Sequence, residues 1–225
     1  MLVQRLALLF LCLAPAAFSQ DAYTVVPQKQ TTIYESNWLR VRHVVYQPGE
    51  SVPMHEHKAR IVVFLGDADV QSIAPDGKIQ ENHFKAGLVN WSEPIRHALT
   101  NSGKTPLDAV EVELLGQHPA TPQAFTGDPV KQDPDHFQLV FENDRVRVFR
   151  YHLGPQESSP MHDHLDHVAV RLTNAHWHSI QPDGSSRVVN EKAGEVSYRP
   201  SNRHAIRNLE NAPVEAISIE FKSPK

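Results

Sequence analysis

Cysteine is almost absent from this chain: the only one is Cys12. It lies within residues 1–19, which carry Arg5 near the start, run apolar from Leu6 through Pro15 and end at Ala17-Phe18-Ser19. That layout is expected of a secretory signal peptide cleaved before Gln20. Its removal leaves no thiol, which excludes a disulfide framework, a thiolate nucleophile and cysteine metal ligands, although a secreted or periplasmic compartment permits disulfides. The apolar run is too short to cross a bilayer comfortably, so no membrane association is expected after cleavage. An excess of basic residues is also lacking. Lys and Arg total 22 against 26 Asp and Glu, a net charge of −4, which excludes a nucleic-acid binder that depends on a basic surface. Glycine-rich phosphate loops, a Ser-His-Asp order and paired-carboxylate motifs are missing too. What stands out instead is histidine, with 14 residues.

The chain repeats itself. Residues 34–114 lie on residues 141–221 without a gap, a constant shift of 107. Pro53-Met54-His55 becomes Pro160-Met161-His162, and His57 becomes His164. Pro75-Asp76-Gly77 becomes Pro182-Asp183-Gly184, and Lys85-Ala86-Gly87 becomes Lys192-Ala193-Gly194. Arg96-His97-Ala98 becomes Arg203-His204-Ala205, and Asn101 becomes Asn208. Roughly a third of the paired positions are identical, which marks an internal duplication; two copies are too few for a solenoid. Gly116 to Asp135, with Gln117-His118-Pro119-Ala120-Thr121-Pro122 and Gly127-Asp128-Pro129, has the composition of a connector. The expected organisation is a leader at 1–19, a first domain at 20–115, a linker at 116–135 and a second domain at 136–225.

Within each copy the local pattern is that of strands. Leu39 to Val44, Arg145 to Phe149, Ile61 to Leu65, Val168 to Leu172, Ala109 to Leu114 and Ala216 to Phe221 alternate or run apolar at strand length. Pro-Asp-Gly is a hairpin turn in both copies, and no stretch sustains a capped 3.6-residue apolar stripe. Many short strands joined by tight turns define an all-β fold, a sandwich or a barrel in each copy.

Residues i and i+2 of a strand share a face. His55 and His57 can therefore direct two imidazoles at one ion, as can His162 and His164. A third ligand must come from another strand, and His97 and His204 are the candidates because each follows its pair at the same interval. Three neutral imidazoles suit a divalent transition metal such as Fe, Zn, Ni or Cu rather than Mg or Ca. A His-x-His pair alone is also common on polar strand faces, and shared ancestry by itself preserves some residues. The residues taken alone leave metal binding open.

Pro53-Met54-His55-Glu56-His57, followed by Gly87 and His97-x-x-x-Asn101, resembles the two sequence motifs of the cupin superfamily. The second copy repeats both, as Pro160-Met161-His162-Asp163-His164 and as Gly194, Pro200 and His204-x-x-x-Asn208. The chain is similar to a bicupin over nearly all of the segment after residue 19. The resemblance implies two tandem double-stranded β-helix, jelly-roll-like barrels. It assigns metal-ligand roles to His55, His57 and His97, and to His162, His164 and His204. It also implies a small-molecule substrate. The pattern departs from the family at the glutamate four or five residues after the second histidine, where Ile61 and Val62, or Val168 and Ala169, stand. Strand parity is expected to turn Ile61, Val63 and Leu65, with Val168, Val170 and Leu172, inward, so that an apolar residue replaces the carboxylate in both copies. The second motif is also irregular: Pro200 to His204 is one residue short, and Pro94 comes too late in the first copy. An ion without that carboxylate keeps its full double charge and favours an anionic, bidentate ligand. The expected function is a metal-dependent, dioxygenase-like enzyme. The alternatives are decarboxylase or lyase chemistry in the same barrel, or a non-catalytic bicupin with degenerate sites. The intact Gly194-to-Pro200 spacing favours the second barrel as the working one.

Other residues carry lesser expectations. Arg96 and Arg203 should form surface ion pairs. Asp166 and His167 should lie on a solvent-facing turn, the alternative being His167 as a stand-in for the missing ligand, and His176 and His178 should flank a core Trp177 from an outward face. Trp91 and Tyr198 should be core aromatics at a barrel mouth. Glu50 and Glu157 should sit in loops, with a general-base role open but unsupported.

Overall fold

The structure is a computed structural model that describes residues 20–119 and 125–224. The leader expected at 1–19 and residues 120–124 of the expected linker lie outside the described residues. The first half contributes β1 (Gln30–Glu35), β2 (Leu39–Tyr46), β3 (Ser51–His57), β4 (Arg60–Phe64), β5 (Ala68–Ile73), β6 (Ile79–Phe84), β7 (Val89–Ser92), β8 (Ile95–Asn101) and β9 (Leu107–Leu114). The second contributes β10 (Phe137–Glu142), β11 (Val146–Leu153), β12 (Ser158–His164), β13 (His167–Arg171), β14 (Ala175–Ile180), β15 (Ser186–Glu191), β16 (Val196–Arg199), β17 (Asn202–Asn208) and β18 (Val214–Phe221). Each strand of the second half begins and ends 107 positions after its counterpart, so the duplication holds strand by strand. It also reaches further back than the sequence identities do. The short helix α1 (Ala22–Val25) has the same offset from α2 (Pro129–Gln132), and α2 lies inside the expected linker.

Each half pairs its strands antiparallel into two sheets. The first half orders them β1-β2-β9-β4-β7 and β3-β8-β5-β6, and the second orders them β10-β11-β18-β13-β16 and β12-β17-β14-β15. The Pro-Asp-Gly hairpins close β5 on β6 and β14 on β15. Gly77 and Gly184 take φ of +84° and +82°, a region that disfavours side chains. Asp76 and Asp183 accept the backbone N–H two residues on at 3.0 and 2.9 Å. Asn101 and Asn208 are fully buried and donate through Nδ2 to backbone carbonyls of neighbouring loops, Tyr46 and Thr105 in one half, Gly154 and Ala212 in the other. The motif asparagines are therefore loop anchors.

The five-stranded sheets are buried on both faces. Val44, Tyr46, Val62, Phe64, Leu107 and Ala109 face their own barrel and meet Val52 and Val70 from the four-stranded sheet. On the opposite face Leu39, Val41, Ile61, Val63, Val110 and Val112 pack against Val146, Val148, Val168, Val170, Ile217 and Ile219 of the other half. This corrects the parity expected from the sequence. Ile61, Val63, Val168 and Val170 belong to the core between the halves, Leu65 and Leu172 pack against that same core, and the barrel-facing set is Arg60, Val62 and Phe64 with His167, Ala169 and Arg171. In a strand buried on both sides an apolar residue no longer marks the inner face.

Aromatic residues finish the same interface. Tyr34 stacks on Tyr198 at 4.2 Å and Trp91 on Phe141 at 5.4 Å. Trp91 and Tyr198 thus join the two halves, and Tyr198 also lines the cleft at the mouth of the second barrel. Arg150 donates through Nη2 to the Gly87 carbonyl at 2.5 Å, so close that a side chain at Gly87 would strike the guanidinium.

Candidate metal centres

In β3 the pair His55 and His57 points into the barrel, and the antiparallel register sets His97 of β8 directly opposite His55. The second barrel repeats this with His204 of β17 opposite His162 of β12. The irregular spacing before the third histidine therefore does not displace it. In each half the three histidines bring their ligand nitrogens within 4.8 Å of one another. All six are buried or nearly so.

The hydrogen bonds fix which nitrogen faces inward. His55 Nδ1 donates to the Pro53 carbonyl at 2.7 Å, and His162 Nδ1 to the Pro160 carbonyl at 2.7 Å. His57 Nδ1 donates to Glu113 Oε1 at 3.0 Å, and His164 Nδ1 to Glu220 Oε1 at 3.0 Å. With Nδ1 acting as donor, a neutral imidazole presents a lone pair at Nε2. The Nε2 atoms of His55 and His57 lie 2.9 Å apart, and those of His162 and His164 lie 3.1 Å apart. Two facing lone pairs repel, whereas nitrogens at this separation can each sit about 2.0–2.1 Å from one shared ion. Among the described residues, the buried Nε2 atoms of His97 and His204 have no hydrogen-bond partner. Burial pushes His55 down to about 4, His97 to about 3 and His204 to about 2, and lowers His162 and His164 as well. Converging imidazoles with buried, inward-facing nitrogens are what a transition ion requires, and either trio could hold one.

Glu113 and Glu220 escaped the sequence reading. They stand at equivalent positions on β9 and β18, and each bridges a histidine to a buried arginine. Glu113 Oε2 accepts from Arg42, which has no exposed surface, while Glu220 Oε2 accepts from Arg147 at 2.7 Å. Burial acts to raise the Glu113 carboxyl, but the His57 hydrogen bond and the Arg42 charge outweigh it and hold it below the usual range. Such carboxylates orient a ligand histidine and raise its basicity. Their signal lay in the duplication, which pairs Glu113 with Glu220 and Arg40 with Arg147.

The surroundings of the two trios differ. A cavity of about 260 Å³ opens beside the first, lined by Val44, Val62, Phe64 and Leu99 together with Arg60 and Glu111. The free space beside the second trio is about 20 Å³, room for a water molecule. Phe137, Tyr151 and Trp177 line that interior, Phe149 stacks on His164 at 5.7 Å, and Arg171 lies 4.0 Å over the Trp177 ring. A cleft of about 710 Å³ at the mouth reaches His204 from outside, past Arg199 and Glu191. His167, expected on a solvent-facing turn, is buried and stacks on His164 at 4.7 Å. It occupies the position of Arg60, because β13 turns that position into the barrel. The position expected to hold an apolar residue in place of the family glutamate is filled on the barrel face by Val62 and Ala169 rather than by Ile61 and Val168.

The remaining candidates are peripheral. Arg96 lies 4.0 Å from Glu56 and Arg203 lies 3.3 Å from Asp163, both half exposed. Asp166 accepts from His118, the Tyr198 hydroxyl and the Ser201 amide. Glu50 pairs with Lys29, and Glu157 holds Gly154 and His136. Trp177 is buried while His176 and His178 are half-buried on the opposite face.

No protein-family model and no curated protein matches the sequence. Solved structures do. AerE from Microcystis aeruginosa is similar with a TM-score of 0.58 at 13% identity, over 86% of this chain and 97% of that one. A cupin 2 conserved barrel domain protein from Leptotrichia buccalis is similar with a TM-score of 0.53 at 12% identity, over 86% and 88%. A variant of oxalate decarboxylase from Bacillus subtilis is similar with a TM-score of 0.55 at 14% identity, over 86% and 72%. The architecture is that of the cupins. This chain carries it twice, as a bicupin fold.

Proposed function

We propose that this chain is an exported, metal-dependent bicupin enzyme acting on a small organic molecule, with dioxygenase-like chemistry in its first barrel and not, as the motif spacing alone favours, in its second. The observation that carries the reading is the convergence of ligand nitrogens of His55, His57 and His97 beside a cavity of about 260 Å³. The composition of residues 1–19 supports export. A divalent transition ion held by that trio supplies Lewis acidity and, for a redox-active metal, electron exchange with O2.

The protein's own groups do the rest. Pro53 and Glu113 fix the tautomers of His55 and His57, so both rings offer Nε2. Arg42 anchors Glu113, and the pairing of Arg60 with Glu111 leaves the polar end of the cavity close to electroneutral before an ion enters. The apolar wall excludes water from a bound ligand. The second trio would hold an ion among aromatic side chains, with little free space beside it and access from the mouth at His204. Decarboxylation in the first barrel is the second reading, favoured by the fold's likeness to an oxalate decarboxylase.

Metal analysis of untagged protein tests the proposal. Two ions per chain are expected, falling to one in H55A/H57A and to one in H162A/H164A. Turnover, followed as oxygen uptake or as carbon dioxide release with candidate phenols and small acids, should vanish in the first variant and persist in the second. Metal content that ignores both substitutions refutes the proposal.

A further inference from the structure

Glu111 is a buried carboxylate with half of its hydrogen-bonding capacity unused. It lies on β9, two residues before Glu113, on the barrel-facing side. Oε1 accepts from Arg60 Nη1 at 2.8 Å, and both side chains are about nine-tenths buried. Oε2 is buried with no hydrogen-bond partner among the described residues. Leaving a carboxylate oxygen unpaired in a closed interior costs more than a typical hydrogen bond contributes, so such an atom calls for a partner. Glu111 lines the same cavity as His97. It is nevertheless not one of the groups whose ligand atoms gather within 4.8 Å of one another around the first trio. Its position addresses what enters the cavity, not the ion.

We propose that Glu111 is a ligand-recognition residue of the first barrel, its Oε2 accepting a hydrogen bond from a hydroxyl of the bound molecule. The assignment rests on the reading of this barrel as a metal enzyme and adds the class of molecule it takes. The ligand has an apolar, ring-sized body that fits against Val44, Val62, Phe64 and Leu99. It carries an oxygen for the ion and an adjacent hydroxyl for Glu111. A compact dicarboxylate fits poorly. It has no hydroxyl to donate at neutral pH, it would bring two negative charges against a carboxylate, and Arg60 is already engaged by Glu111. The second barrel places Ser218 at this position, where its hydroxyl is also buried and unpartnered, so the carboxylate belongs to the first barrel alone.

The test uses full-length protein loaded with Co(II), with 4-nitrocatechol as the apolar hydroxyl-bearing probe and oxalate as the compact dicarboxylate. Binding of 4-nitrocatechol is read from its absorbance, and cobalt content is measured on the same samples. Wild-type protein should bind the probe and retain it against a hundredfold excess of oxalate. E111Q should keep the wild-type cobalt content and bind the probe at least tenfold more weakly. R60M/E111Q, which leaves no stranded guanidinium, should show the same loss and carries the test if E111Q does not fold. Unchanged probe affinity in these variants overturns the proposal, as does displacement by equimolar oxalate. Loss of cobalt from E111Q overturns it differently, by making Glu111 a ligand of the ion. Wild-type protein that binds no cobalt refutes the metal-enzyme reading and this assignment together.

Discussion

The two barrels share every strand boundary and the same histidine trio, yet they differ in what surrounds it. Around the first trio stand Arg42, Val44, Arg60, Phe64, Val70 and Glu111; the equivalent residues around the second are Phe149, Tyr151, His167, Arg171, Trp177 and Ser218. Tyr151 and Trp177 stand where the first barrel has the smaller Val44 and Val70. The two rings stack at 5.9 Å across the interior. Duplication conserved the frame and the imidazoles, and the lining then diverged. The first barrel has a chamber beside its trio, whereas the second packs aromatic rings there and is reached at His204 through a cleft at its mouth.

Acid should expose this difference most strongly. His97, His167 and His204 are held near 3, 3 and 2. In metal-free protein the folded state therefore binds fewer protons than the unfolded state below about pH 6.5, and stability falls as pH drops from there toward the folded values. Between pH 7 and 4 the loss is on the order of 5 kcal/mol or more. The second barrel should open first, since His167 adds a fourth buried neutral ring where the first barrel has Arg60. Hydrogen exchange at acidic pH should show β12 and β17 losing protection before β3 and β8. Simultaneous loss would erase the distinction.

The carboxylate bridges give the next largest effect. Glu113→Ala strands Arg42, whose other acceptors are Gln30 and a more distant Asp21. Removing one partner of such a buried pair costs about 3–5 kcal/mol. Glu220→Ala should cost less, nearer about 2–3 kcal/mol, because Arg147 keeps Asp128 at 2.9 Å. Urea unfolding of the two variants measures the gap, and equal costs would show that Asp128 compensates nothing. The depressed Glu113 carboxyl adds stability that is present above its unfolded value of about 4.3 and lost as pH falls through its lower folded value. Smallest of all are Arg96→Ala and Arg203→Ala. Each should change stability by less than about 1 kcal/mol, with Arg203 the larger because its partner Asp163 is buried. A larger loss in Arg96→Ala, read in the same unfolding experiment, would contradict its placement on the surface.

The frame was legible in the sequence because local signals and the duplication agree there. Pro-Asp-Gly fixes the hairpins, strand parity puts His55 beside His57, and the constant offset supplies His97 and His204. The cavity was not legible. Whether Ile61 or Val62 faces inward depends on the second half packing against the outside of the first, and no local pattern encodes that contact. His167 is concealed for the same reason, since β13 is buried on both sides although its barrel face carries His167 and Arg171. Glu111 and Glu113 interrupt the apolar run Ala109 to Leu114 at alternate positions. In isolation that reads as an exposed strand face, and only the distant Arg42, Arg60 and His57 make it an interior.

The contact between the two five-stranded sheets has a consequence for the origin of the molecule. Half of this chain made alone would carry a broad aliphatic strip in water, and a second identical half would supply the surface to cover it. The present protein is in effect a homodimer whose subunits have been spliced end to end. Tethering holds the two partners at an effective concentration on the order of millimolar, so the covering half never has to be met in solution.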